Sequence, residues 1–174
     1  MDNRFLYFAY GSNMLTRRLR AASRAPSARV EATGFIEGHR LTFDKVSKEK
    51  SEGRSGKCDA EATGNPSDHV YGVLFSIDRA EEKALDEAEG RDKGYKKDRI
   101  HVVTTDGKRT AVTYIATEKD PSLRPYDWYK ELVIAGAVEH GLPQSYVEWL
   151  RTVESQPDPN VARRTRNERL LSGI

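Results

Sequence analysis

The sequence predicts an α+β fold, a mixed and largely antiparallel sheet with helices at its margins, and three observations carry that prediction. Apolar runs bounded by Gly, Pro, Asn and Asp recur between residues 5 and 117, the pattern of strands joined by tight turns. Asp106-Gly107 lies between two of these runs and is the strongest hairpin signal in the chain. Helical spacing with start and stop signals is found chiefly over residues 79–89 and beyond residue 126. A curved or barrel-like sheet suits this order of elements.

Taken in order, Phe5-Leu6-Tyr7-Phe8-Ala9-Tyr10 reads as a buried strand that breaks at Gly11-Ser12-Asn13, and Met14-Leu15-Thr16-Arg17-Arg18-Leu19 follows with helical spacing. A strand that stops at a glycine and re-enters a helix gathers backbone N–H groups into one small volume. Such a turn suits an anion or a polarised carbonyl oxygen. Residues 28–36 and 39–44 are strands around Glu37-Gly38, with Leu41 and Phe43 on the apolar face. Residues 45–57, rich in Lys, Ser, Gly and Glu, are expected to form an exposed, mobile loop. Residues 59–64 are a weaker strand, Asn65-Pro66-Ser67-Asp68 a turn, and residues 70–77 a mostly apolar strand. Asp78 caps a helix over residues 79–89, which Gly90 ends. Strands over 95–105 and 109–117 flank the hairpin turn, and 121–125 is a linker. Residues 126–140 carry a stripe of Trp128, Leu132, Ala135 and Val138 up to Gly141, and Pro143 opens a further helix through Tyr146, Val147 and Leu150. Residues 1–156 are expected to form one domain, with 157–174 as a loosely packed Arg-rich tail.

Composition narrows the function. A chain of 174 residues can enclose a real core, and 32% charged residues point to a heavily solvated surface. With 29 basic and 27 acidic residues the net charge is only +2, so no global field favours nucleic acid or a membrane surface. Accordingly the Arg17, Arg18, Arg20, Arg24 cluster and the Arg163, Arg164, Arg166, Arg169 cluster read as solvated faces. The single cysteine, Cys58, excludes an internal disulfide framework and a Cys-rich zinc site, and reads as a plain thiol at a strand start. His39, His69, His101 and His140 lack metal-ligand spacing, so no metal is expected. No apolar run approaches the roughly 18 residues of a membrane span, and the N-terminal pattern is not that of a signal peptide. A cytoplasmic protein is the expectation.

Among candidate catalytic groups Glu89 stands apart. Four of the five carboxylates in residues 79–89 read as solvated surface charges. Glu89 lies four residues after Leu85, the only large apolar side chain there, and shares its face. It also occupies the last turn, where the negative end of the helix dipole and partial burial disfavour the ionised form. That environment moves a carboxylate towards the range of a useful general base or acid. Ser12 lacks the second glycine of a nucleophile elbow and has no evident histidine base, so a capping or oxyanion-donor role suits it better. Tyr10, Tyr95 and Tyr129 read by default as core aromatics.

These segments together resemble a known family. Phe5-Leu6-Tyr7-Phe8-Ala9-Tyr10-Gly11-Ser12-Asn13 is similar to the N-terminal motif of the γ-glutamylcyclotransferases, within the AIG2-like superfamily. Leu85-Asp86-Glu87-Ala88-Glu89-Gly90 resembles the family's Leu-Asp-x-x-Glu-Gly segment, with Gly94-Tyr95 at the expected distance. Trp128-Tyr129-Lys130, Gly136-Ala137 and Gly141-Leu142-Pro143 match its C-terminal helical block. The resemblance implies a barrel-like sheet and a cofactor-free reaction that releases 5-oxoproline and an amine from a small γ-glutamyl compound. It further implies that Glu89 is the catalytic carboxylate and that Tyr7, Phe8, Ala9, Tyr10, Gly11 and Ser12 form the substrate-binding loop, completed by Asn13. Tyr129 corresponds to a substrate-contacting tyrosine and Tyr95 to a pocket tyrosine. A homodimer is expected by family analogy only.

The implied chemistry needs no protein nucleophile, because the attacking α-amine and the γ-carbonyl belong to one residue of the substrate. Backbone N–H groups of Gly11, Ser12 and Asn13 are expected to hold either the oxyanion or the substrate α-carboxylate. Relatives on this fold act on γ-glutamylamines, glutathione or a γ-glutamyl-protected metabolite, and Tyr-Gly-Ser-Asn resembles most the branch acting on γ-glutamyl amino acids. The alternative from another class is a non-catalytic small-molecule-binding module. A nucleic-acid-binding role for the arginines fits the near-neutral charge worst.

Overall fold

Five strands close into a barrel, and their order explains why the N-terminal strand is so apolar. The computed structural model describes residues 3–47 and 54–173. The strands are β1 (Arg4–Ala9), β2 (Arg29–Glu37), β3 (His39–Val46), β4 (Gly56–Ala62), β5 (His69–Asp78), β6 (Tyr95–Thr104) and β7 (Gly107–Ala116). The helices are α1 (Thr16–Leu19), α2 (Glu82–Glu89), α3 (Asp127–Glu139), α4 (Gln144–Thr152) and α5 (Val161–Ser172). The barrel order is β1-β5-β2-β6-β7, and β3-β4 form a separate two-stranded ribbon. All neighbours in the barrel run antiparallel except at the seam, where Tyr7 of β1 faces Val112 of β7 in parallel. β1 therefore pairs on both edges, and Phe8, Ala9, Phe75, Leu74 and Ile77 around it are completely buried. The α+β class and the barrel-like sheet expected from the sequence are both present.

Helix α3 braces the turn that follows β1. Its buried residues Leu132, Val133 and Ala137 share the core with Met14 and Leu19. The two backbones meet at Gly136, where a Cβ would lie 2.6 Å from both Leu15 N and Met14 Cβ. Alanine in a helix is ordinarily about 1 kcal/mol better than glycine. Here the backbone of the turn cannot yield, and overpacking costs of about 1–3 kcal/mol outweigh that gain. Gly136→Ala is therefore expected to lower the midpoint of urea unfolding, although propensity alone predicts the opposite sign.

Two expectations for the polar segments are corrected. The exposed loop predicted over 45–57 is strand at both ends: β3 continues through Val46 and β4 begins at Gly56, while 48–53 lie outside the described residues. Lys45 is only 2% exposed, and its ammonium sits 4.7 Å from the centre of the Tyr95 ring, which offsets the loss of water. The C-terminal segment is not loosely packed. Asn160 caps α5 by accepting from Arg163 N at 2.8 Å. Arg163 is 7% exposed and grips Asp158 with both arms, at 2.5 and 2.7 Å. Among the described residues no helix is long and apolar enough to cross a membrane.

Candidate active site

Glu89 ends α2, where Gly90 (φ 73°) adopts the left-handed conformation that stops the helix. Leu85, one turn earlier, is completely buried and fixes that face against the core. Two side chains from the N-terminal segment then meet the carboxylate. Tyr7 donates its hydroxyl to Glu89 Oε1 at 2.7 Å, and Asn13 Nδ2 donates to the same oxygen. Arg24 Nη1 donates to Asn13 Oδ1 at 3.3 Å. A guanidinium can only donate, so it sets the amide with its oxygen towards Arg24 and its nitrogen towards Glu89. Burial, and then the charge of Glu89, push the Tyr7 phenol well above its ordinary range, so it remains a protonated donor. Among the described residues Glu89 Oε2 receives no hydrogen bond, which leaves one carboxylate oxygen for a ligand.

The rest of α2 corrects a sequence expectation. Asp86 is 9% exposed rather than a solvated surface charge. It accepts from Tyr114 Oη at 2.5 Å and from Arg91 Nη1 at 2.9 Å, and Lys97 Nζ lies 3.0 Å away. Burial would raise its carboxyl, but these three donors hold it below the usual carboxylate range. Glu81 likewise accepts from the amide and hydroxyl of Ser27. The helix is thus pinned at several points, and Glu89 is carried by a fixed support.

Tyr95 and Tyr129 both reach the backbone of one residue, Cys58. Tyr95 donates its hydroxyl to Cys58 O at 2.7 Å, and Cys58 N donates to the Tyr129 hydroxyl at 3.1 Å. Tyr10 donates to the backbone carbonyl of Tyr114. These tyrosines form walls around a recess of about 320 Å³, which Tyr7, Gly11, Ser12, Asn13 and Glu89 also line. Phe8 and Ala9, expected in the binding loop, are completely buried and are not part of the lining. Gly11 fits closely, since a Cβ there would lie 3.2 Å from Cys58 Cβ and 3.3 Å from the Tyr129 hydroxyl.

Sequence reasoning missed several lining residues. Cys58, Thr113 and Tyr114 border the recess, and Arg18, Arg24, Lys45 and Lys57 border the space outside it. Burial pushes the Cys58 thiol up to about 12, which agrees with a plain thiol and not a nucleophile. Arg18 and Arg24 were expected on a solvated face; both instead turn to the site, and only the short loop between β1 and α1 could have signalled it.

The site sets one carboxylate against a Tyr-Gly-Ser-Asn loop beside a closed α+β barrel. The model of the AIG2-like family matches residues 69–150. The γ-glutamylcyclotransferase of Mus musculus is 38% identical over 152 residues, covering 86% of this chain and 79% of its own. The Homo sapiens γ-glutamylcyclotransferase is 35% identical over 155 residues, covering 88% and 80%. A solved structure of a γ-glutamyl cyclotransferase superposes with a TM-score of 0.82 at 30% identity, covering 95% of this chain and 99% of that one. The chain belongs to the γ-glutamylcyclotransferase family.

Proposed function

We propose that this protein is a cofactor-free γ-glutamylcyclotransferase, and that Glu89 carries its proton transfers. The observation that supports this most is the Glu89 carboxylate held on one oxygen by Tyr7 and Asn13, with the other oxygen left to a ligand. A γ-glutamyl substrate lying in the recess places its α-ammonium at Glu89. The carboxylate takes a proton, the freed amine attacks the γ-carbonyl carbon, and a five-membered lactam closes. The bond from that carbon to the leaving nitrogen breaks as Glu89 returns the proton to the nitrogen, and the lactam nitrogen gives up its second proton, which the departing amine takes up. The products are 5-oxoproline and an ammonium, with no net gain or loss of protons.

Most of the acceleration comes from holding the two reacting groups of one molecule in line, since oriented intramolecular reactions reach effective molarities of about 10⁵ M or more. The N–H groups at Gly11, Ser12 and Asn13 then supply donors to the developing oxyanion or to the substrate α-carboxylate. Tyr10, Tyr95 and Tyr129 shape the walls, and Phe8 and Ala9 support the loop from the core. The same reading makes the protein cytoplasmic, with a small-molecule partner and no role for nucleic acid or membrane.

Incubation with γ-glutamyl-L-alanine, γ-glutamyl-lysine and glutathione, scored for 5-oxoproline, tests this reading. Product is expected from at least one of them. Calorimetric binding without any product would instead establish a non-catalytic module on this fold.

A further inference from the structure

Beyond the recess the cleft changes character. The recess itself is lined by tyrosines, small polar residues and Glu89, whereas the adjoining outer chamber of about 570 Å³ is bordered by Arg18, Arg24, Lys45 and Lys57. Among the described residues bordering that chamber, Glu89 is the one acid, and Arg18 and Arg24 are the guanidinium groups. Ser12, Glu89, Tyr95 and Tyr129 border both spaces and mark the passage between them.

Arg18 points most directly to a ligand. It donates through Nη1 to Asn167 Oδ1 at 3.1 Å. Its Nε, shielded from solvent, has no hydrogen-bond partner among the described residues. A buried guanidinium donor left unpaired is costly unless an anion satisfies it. Burial and then the charge of Arg24 pull the Arg18 guanidinium down to about 10.

We propose that the outer chamber is the leaving-group subsite, and that Arg18, with Arg24 beside it, selects leaving amines that carry carboxylates. This rests on the cyclotransferase reading. If the γ-glutamyl amine meets Glu89 from the recess, the group on the far side of the scissile bond passes Tyr95 and Tyr129 into the cationic space. One leaving-side carboxylate engages Arg18, and a second finds Arg24. The favoured substrate class is therefore a γ-glutamyl conjugate of an acidic amino acid, and simple γ-glutamylamines are disfavoured.

The test uses glutaryl-L-glutamate, which lacks the α-amine and cannot cyclise, so binding is measured whether or not the protein turns over substrate. Its partner is the same compound with both leaving-side carboxylates amidated. Calorimetry on the wild-type protein at low salt is expected to show the diacid binding at least ~10-fold more tightly, as charge-assisted hydrogen bonds allow. Raising the ionic strength should shrink the ratio, and in Arg18→Met it should approach one. Affinities equal within about twofold in the wild-type protein would overturn the subsite. Release of 5-oxoproline from γ-glutamyl-L-glutamate is scored separately: its absence counts against the reaction, while equal binding counts against the selectivity.

Discussion

Glu89→Gln is expected to reduce 5-oxoproline release by about 10²–10⁴-fold, the range typical for removal of a general acid or base. Glutamine suits this test because of how the carboxylate is held. Tyr7 and Asn13 both donate to Oε1. An amide oxygen accepts both, so the side chain can keep its position while losing the capacity to take a proton. The support beneath it is independent of this charge, since Leu85 is in the core and Asp86 is tied to Tyr114 and Arg91. The variant should therefore melt close to the parent, and substrate saturation should still be reached. Stopped assays on γ-glutamyl-L-alanine, paired with a thermal melt, separate lost chemistry from lost structure. A glutamine variant that forms product near the parental rate removes Glu89 from the proton transfers and with it the mechanism.

The meeting of Glu89 with the loop after β1 was legible because its signals are local. A run of buried strand residues ending at Gly11 announces the loop, and the four-residue step from Leu85 to Glu89 puts the carboxylate on the buried face. The hairpin at Asp106-Gly107 was equally local, and its register is found with Thr104 opposite Gly107. What escaped depends on partners far away in the chain. Lys45 belongs to a polar, Lys-rich segment, and the Tyr95 ring that meets its ammonium lies fifty residues on in the chain. Asp86 looks like its solvated neighbours until Tyr114, from the far side of the hairpin, reaches it. Arg18 and Arg24 read as surface charge because periodicity is blind to a cleft assembled from several elements. The roles of Tyr95 and Tyr129 came only from family resemblance, since nothing local reveals that both hydroxyls converge on Cys58.

The C-terminal helix supplies the largest expected effect on stability. Asp158 is 2% exposed and Arg163 7% exposed. Both oxygens of Asp158 are engaged by Arg163, and Oδ2 also accepts from Trp128 Nε1 at 2.8 Å. Burial alone would raise this carboxyl, but the Arg163 and Trp128 donors hold it below the usual range. Asp158→Ala removes the carboxylate partner of a buried guanidinium and of an indole N–H at once. Loss of one partner of a buried pair costs about 3–5 kcal/mol, which for a chain of this size lowers the melting temperature by about 10 °C or more. Since the folded carboxyl titrates below its unfolded value of about 3.9, the stabilisation is fully present above that pH. It is lost as pH falls through the lower folded value. The parent should accordingly lose stability in acid more steeply than Asp158→Ala, which has no such proton to take up. The consequence reaches the site, because Trp128 and Tyr129 are neighbours on α3 and Gly136 of that helix braces the Ser12–Met14 turn. Melts of the two proteins at neutral and acid pH decide the matter: equal melting temperatures at neutral pH would mean that α5 is not coupled to the barrel through this pair.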